Sequence, residues 1–266
     1  MSTLPSGDRR VDYSAWRCHN YSIGGAQVAV HRAGSGEPVV YLHGGGTWHG
    51  LAFATGLPKH FEVFLPHHPG FGLSENNPDI TSVADCVEHY QTLFDALNLE
   101  RVHLIGSSLG GRIAAEFAAR YPARVSKLIL AAPAGLIVAD HPLPDLSSVA
   151  PQDFPAYLVS DFQLLLPFLP TGPDEEFMAM REREFASIMR LLPSGLENPD
   201  MPALLHRISA PTLIIWGNED RLIPSGQAKH WQRLIPNANF TVIEGVGHLP
   251  LDESERARRS ALDFLF

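Results

Sequence analysis

The sequence predicts an α/β fold: a mainly parallel central sheet flanked by helices and interrupted once by a helical insertion. Three observations carry this expectation. Short apolar runs alternate with helical periodicities through the first half of the chain, as a parallel sheet covered on both faces requires. The same rhythm returns at Pro211 after a proline-rich stretch with no strand alternation. The length, 266 residues, suits one core that buries roughly three quarters of the unfolded surface.

In chain order, residues 1 to 20 show no period and read as an irregular arm. Ala26 to His31 has strand character, Gly34-Ser35-Gly36 reads as a turn, and Pro38 to Leu42 is an apolar run, so the three suggest a hairpin leading into a central strand. Phe61 to Leu65 is the next strand, followed by a loop from Pro66 to Ser74. Val83, Val87, Tyr90, Phe94 and Leu97 repeat at helical spacing behind a capping-box pair, Ser82 and Asp85. The apolar run from Val102 up to Gly106 is a buried strand, the residues up to Tyr121 a helix stopped by Pro122, and Val125 to Ala132 another strand. From 134 to 207 the pattern changes to a helical lid, with Asp174 to Leu192 helical in composition. The core, 1–133, resumes at 208–266 with strands at Pro211–Trp216 and Phe240–Ile243, a helix near Gly226–Leu234 and a last helix from Glu253 to Phe266.

Composition narrows the function. Twenty Lys and Arg against 29 Asp and Glu give a net charge of −9 without a basic cluster, which argues against nucleic acid as a partner. Cys18 and Cys86 are the only cysteines; they exclude a disulfide framework or a Cys-rich zinc site and suit a reducing compartment. The polar start, Met1 to Arg10, lacks the apolar core of a signal peptide. Leu164 to Leu169 is broken by Pro167 and far short of the roughly 20 residues of a membrane span. A soluble, cytoplasmic protein acting on a small molecule is expected, with the oligomeric state left open.

The chemistry centres on Gly106-Ser107-Ser108-Leu109-Gly110, at the junction of a strand and a helix. Small residues around Ser108 let the backbone turn sharply, so that its hydroxyl projects at a helix N-terminus. A serine hydroxyl needs a base within reach and an acid to orient that base. Asp220 and His248 follow later strands, so Ser108, Asp220 and His248 all fall at strand C-terminal ends, where open α/β sheets place their sites. Glu219 and Asp140 are competing acids. His43, His67 and His68 lack a metal-binding spacing such as His-Glu-x-x-His. Three consecutive glycines, Gly44 to Gly46, let backbone N–H groups approach an anion closely.

With the Pro69 to Ser74 loop, the Asp220 loop and Gly247-His248, these motifs stand in one order that resembles the α/β-hydrolase superfamily, in its lid-bearing branch of carboxylesterases, lactonases and carbon–carbon bond hydrolases. The resemblance covers about 21 to 266 and is weakest in the lid. It implies that Ser108 attacks a carbonyl, His248 moves the proton and Asp220 holds the imidazole; Gly-x-x-Asp with a proline four residues on selects Asp220 over Glu219. It further implies an oxyanion hole from the N–H groups of Leu109 and Gly45, and a substrate site edged by His43, Gly44, Gly46, Ser107 and Leu249, with no cofactor and no metal. Ser107 and Leu249 stand where ring-fission C–C hydrolases commonly carry Asn and Trp. A small carboxylic ester or lactone is therefore the expected substrate, with C–C hydrolysis and a receptor of the same fold as alternatives. In the lid, Arg190 sits among Met189, Leu191 and Leu192, and is expected to point inward and grip a substrate carboxylate.

Overall fold

Runs of β-branched and large apolar residues give most of the eight strands that join in one sheet, seen in a computed structural model describing residues 11–146, 148–150 and 153–266. The strands are β1 (Arg17–Ile23), β2 (Ala26–Gly34), β3 (Pro38–Leu42), β4 (Glu62–Pro66), β5 (Val102–Ser107), β6 (Val125–Ala131), β7 (Thr212–Gly217) and β8 (Ala238–Ile243). Their order is β1-β2-β4-β3-β5-β6-β7-β8; β1 to β2 and β2 to β4 pair antiparallel and all the others parallel. The helices are α1 (Ala52–Gly56), α2 (Val83–Ala96), α3 (Leu109–Arg120), α4 (Glu175–Leu191), α5 (Met201–Leu205), α6 (Ala228–Leu234), α7 (Pro250–Glu253) and α8 (Glu255–Leu265).

Burial explains the strand order. Strands β5 and β7 are buried at every residue and β3 at all but its first, so their unbroken apolar runs need cover on both faces and take the centre. Alternate residues serve opposite layers: Val40, Leu42 and Leu104 join one apolar cluster, and Val39, Tyr41 and Ile105 the other. This overturns the expected hairpin between β2 and β3. Strand β4 lies between them, and β2 forms its hairpin with β1 instead. The expected arm also shrinks. Arg17 to Asn20 belong to β1, an edge strand whose exposed side chains leave no apolar period to read. Met1 to Arg10, with the expectations placed on them, lie outside the described residues.

Capping sets the helix ends. The Ser82 hydroxyl accepts from the Asp85 N–H at 3.1 Å while the Asp85 carboxylate takes the Ser82 hydroxyl at 2.8 Å. Asp174 caps α4 through the Phe177 N–H at 2.9 Å. The expected last helix is α8, capped by extended Ser254, which also ends the short α7 that precedes it. Between β6 and β7 the described residues form no strand, only short 3-10 turns, α4 and α5. Leu158, Val159, Leu165, Phe177 and Leu191 of this segment join the same cluster as Val40 and Leu104, so it packs on the core. No helix among the described residues is long and apolar enough to cross a membrane.

Candidate active site

The register Leu42↔Gly106, Ser107↔Ala131 and Gly217↔Ile243 brings the C-terminal ends of β3, β5, β6, β7 and β8 to one edge of the sheet. Ser108 stands there with φ 53° and ψ −115°, a left-handed conformation that costs a non-glycine residue about 1–2 kcal/mol. The turn is held by its own backbone: Ser108 N–H donates to Ala131 O at 2.9 Å, and Ser108 O accepts from Arg112 and Ala134 N–H groups, each at 3.1 Å. Gly110 is sterically required, since a β-carbon there would lie 2.2 Å from Leu42 O. The Ser108 hydroxyl makes no cap bond, and Leu109 opens α3 with an N–H that the helix leaves without an acceptor.

Asp220 and His248 meet directly: His248 Nδ1 lies 2.8 Å from Asp220 Oδ2, with both side chains almost wholly buried. Asp220 is itself fixed by four donors. Oδ1 accepts from the Leu222 and Ile223 N–H groups at 2.8 and 2.9 Å, and Oδ2 accepts from Trp216 Nε1 at 3.0 Å as well as from His248. An aspartate so held stays an acceptor and keeps the Nδ1–H tautomer, leaving Nε2 to take a proton. Glu219 is exposed and Asp140 pairs with His141 and His230, so neither competing acid reaches His248. Glu253 went unread in the sequence. Its carboxylate accepts from the N–H groups of Gly247 (3.0 Å) and Leu249 (3.2 Å) on either side of His248, and from Ser160 N–H (2.7 Å) in the insertion. A carboxylate five residues after the histidine, at a helix start, was the available signal.

Of the glycines, Gly44 is packed on the nucleophile turn, where an added β-carbon would meet Ser108 Cβ at 3.4 Å. Gly45 is exposed beneath Ile188, and Gly46 backs onto Trp48 and Glu184. His43 and Ser107 are buried. Both His43 nitrogens are spent inside the protein, Nδ1 on Gly44 O at 2.7 Å and Nε2 accepting the His68 N–H at 3.0 Å, and burial pushes the imidazole down to about 3. The Ser107 side chain is buried and engages the Tyr41 phenol. Leu249 is buried against Gly50, behind the same loop.

Helix α4 covers this edge. Arg190 does not reach over Ser108: its guanidinium donates to Ile80 O at 2.9 Å, to Pro69 O at 3.2 Å and to the Asn76 side chain, tying α4 to the 69–80 loop. The apolar neighbours in the sequence lie on the helix's other faces, with Met189 exposed and Leu191 buried. Glu184, on the same stripe as Phe177 and Leu191, is buried and accepts from Thr47 Oγ1 (2.6 Å), Thr47 N–H (3.2 Å) and Gly72 N–H (3.1 Å). Burial raises its carboxyl above the usual range against these bonds. Arg181 lies 5.2 Å over the Trp48 ring, partly buried, and among the described residues it has no ion pair or hydrogen bond. Trp48 stacks edge-on against His49 at 4.2 Å. His49 is buried with Nδ1 unpartnered; burial and the nearby Arg181 and His248 push it down to about 3. No pattern in the sequence marked Trp48 or His49.

Residues 39–260 match the family model described as the alpha/beta hydrolase family. The chain is 30% identical over 264 residues to 2-hydroxy-6-oxo-6-phenylhexa-2,4-dienoate hydrolase of Comamonas testosteroni, covering 90% of this chain and 91% of that protein. It is 30% identical over 268 residues to 2-hydroxy-6-oxo-2,4-heptadienoate hydrolase of Pseudomonas putida, covering 91% and 94%. A meta-cleavage product hydrolase from Pseudomonas fluorescens IP01 shares the fold, with a TM-score of 0.77 at 23% identity over 93% of this chain and 97% of that one.

Proposed function

Because the chain belongs to the α/β hydrolase family, we propose that it is a serine hydrolase that cleaves a carbon–carbon bond in a small acidic dienoate of the 2-hydroxy-6-oxo class. Arg181 carries this reading: a partly buried guanidinium beside Trp48 and His49, which feels the charge of Glu184 but forms no ion pair with a carboxylate among the described residues, suits a substrate carboxylate. The names of the relatives support the same substrate class.

In this reading Ser108 Oγ attacks the ketone carbonyl as His248 takes its proton, and Asp220 holds the imidazole. The oxyanion is met by the N–H groups of Leu109 and Gly45, where one such donor is worth about 3 kcal/mol. The 2-hydroxydienoate must first ketonise, its hydroxyl proton moving to the carbon beside the ketone; breaking the C–C bond then sends the electron pair into the conjugated 2-oxo system as a dienolate, which takes up the proton of the His248 imidazolium. Water, deprotonated by His248, then releases the acyl group as a carboxylate and restores Ser108. The insertion serves as the lid, with α4 presenting Arg181.

Ser107 and Leu249, in place of Asn and Trp, favour a second reading, hydrolysis of an ester or lactone by the same acyl-enzyme. The two separate in one assay: steady-state turnover of 2-hydroxy-6-oxo-6-phenylhexa-2,4-dienoate and of p-nitrophenyl acetate by wild type and Arg181→Leu. Faster dienoate turnover is expected, with KM for the dienoate raised at least about tenfold in the variant and the neutral ester unaffected. Preference for the ester with no effect of Arg181→Leu would establish the second reading, and a single burst without turnover would make the chain a receptor.

A further inference from the structure

Away from Ser108, a second constellation joins the start of the insertion to the core. Asp140, His141 and His230 bring one carboxylate oxygen and two imidazole nitrogens within 4.8 Å of one another. Asp140 sits between the rings, with Oδ1 3.5 Å from His230 Nε2 and Oδ2 3.9 Å from His141 Nε2. Both separations exceed the roughly 2.7–3.2 Å of a good hydrogen bond. They are close to the edge of a tetrahedron around zinc, about 3.4 Å for bonds of about 2.0–2.1 Å. The rings stand 6.1 Å apart at 74°, so their nitrogens converge without stacking.

The ligands are positioned by packed backbone. His141 N–H donates to Val138 O at 3.0 Å, and His141 O accepts from the buried Gln227 amide at 2.9 Å. The His141 ring lies against Gly226, where a β-carbon would come within 2.3–2.4 Å of three ring atoms. His230 projects from α6, just beyond the loop that carries Asp220.

We propose that Asp140, His141 and His230 bind one divalent transition ion of the zinc class, which clips the segment entering the insertion to helix α6. Two imidazoles and a carboxylate suit zinc, nickel or cobalt, whereas calcium and magnesium favour all-oxygen sites. Three protein ligands leave the fourth tetrahedral position to water. The site is separate from the hydrolytic machinery and does not rest on the substrate assigned above.

The test is calorimetric titration of the EDTA-treated protein with zinc, with cobalt absorption as a second reading of coordination. Wild type is expected to take up one equivalent with a Kd below about 10 μM. Asp140→Asn and His230→Ala should each weaken binding at least about tenfold and abolish the zinc-dependent rise in Tm. Gly226→Ala, which keeps all three ligands but displaces the His141 ring, should weaken it too, an effect that uptake by unrelated surface histidines would not show. Wild type that takes up no zinc at 1 mM would overturn the proposal, as would undiminished uptake by His230→Ala. Turnover of p-nitrophenyl acetate without zinc, expected unchanged in each variant, reports that the fold is intact.

Discussion

Four buried histidines should make the protein unstable in mild acid. His31, His43, His67 and His68 form a chain of rings under the loops of β3 and β4, with centroids 4.8 Å apart for His31 and His67 and 3.8 Å for His43 and His68. Burial pushes His31 down to about 4 and His43 to about 3, and holds His67 and His68 well below their ordinary value. A histidine lowered in the folded state contributes stability above the unfolded value, near 6.5, and that contribution is lost as pH falls towards the folded value. From pH 7.5 to 5.0 each such ring binds almost one more proton unfolded than folded, a loss of about 2 kcal/mol, or about 8 kcal/mol for four. Asp252 acts in the opposite sense. Burial raises its carboxyl to about 6, and it returns about 1 kcal/mol over the same interval. His49 and His89, buried and lowered to about 3 and about 4, add to the loss in the same sense, and halving the remainder for local relaxation leaves a net loss of about 5 kcal/mol, against a total stability of about 5–15 kcal/mol. Urea unfolding followed by tryptophan fluorescence at the two pH values measures it. His31→Phe should remove about a fifth of the loss, since the ring stacks on Tyr13 at 4.0 Å and its Nε2 has no partner among the described residues. Equal stability at pH 7.5 and 5.0 would refute the argument.

Ser108→Ala should lower turnover at least about a thousandfold while leaving Tm within a few degrees, because the hydroxyl bonds nothing in the turn; kinetics and calorimetry on the same sample check both. Glu184→Ala strands the Thr47 and Gly72 N–H groups and should destabilise by about 2–3 kcal/mol in urea unfolding. Asp252→Asn should stabilise the protein at pH 7.5 by about 1–2 kcal/mol. A carboxyl raised to about 6 loses its contribution as pH rises through that value, whereas an amide still accepts the Ala52 N–H. Arg190→Leu should raise KM for acidic and neutral substrates alike, since it loosens α4 from the 69–80 loop; a selective effect on the acidic substrate would restore Arg190 to the pocket.

The parts of the site legible in the sequence are those whose chemistry imposes local spacing. Ser108 needs small neighbours to turn, and Asp220 and His248 each follow an apolar strand, so the chain itself brings them to one edge. The Ser82 cap was legible for the same reason. What could not be read is what depends on which way a helix rolls. Arg181, Glu184 and Arg190 share one helix and similar composition, yet their surroundings differ: one lies over Trp48, one is sunk onto the glycine loop, and one is tied to Pro69 and Ile80. The neighbour of β3 was lost likewise, because pairing across β4 is set by burial on both faces and not by the Gly34 to Gly36 turn.

Glu253 joins two things that enzymes often keep apart. It holds the N–H groups on both sides of His248 and, with the same carboxylate, Ser160 of the insertion, while Gly247 lies so close to the Val159–Ser160 backbone that a β-carbon would sit 2.7 Å from Ser160 N. Lifting the insertion at Ser160 therefore releases part of the anchorage of the histidine loop. One carboxylate thus serves both segments, so a change at Glu253 is felt by the insertion and by the loop of the base together.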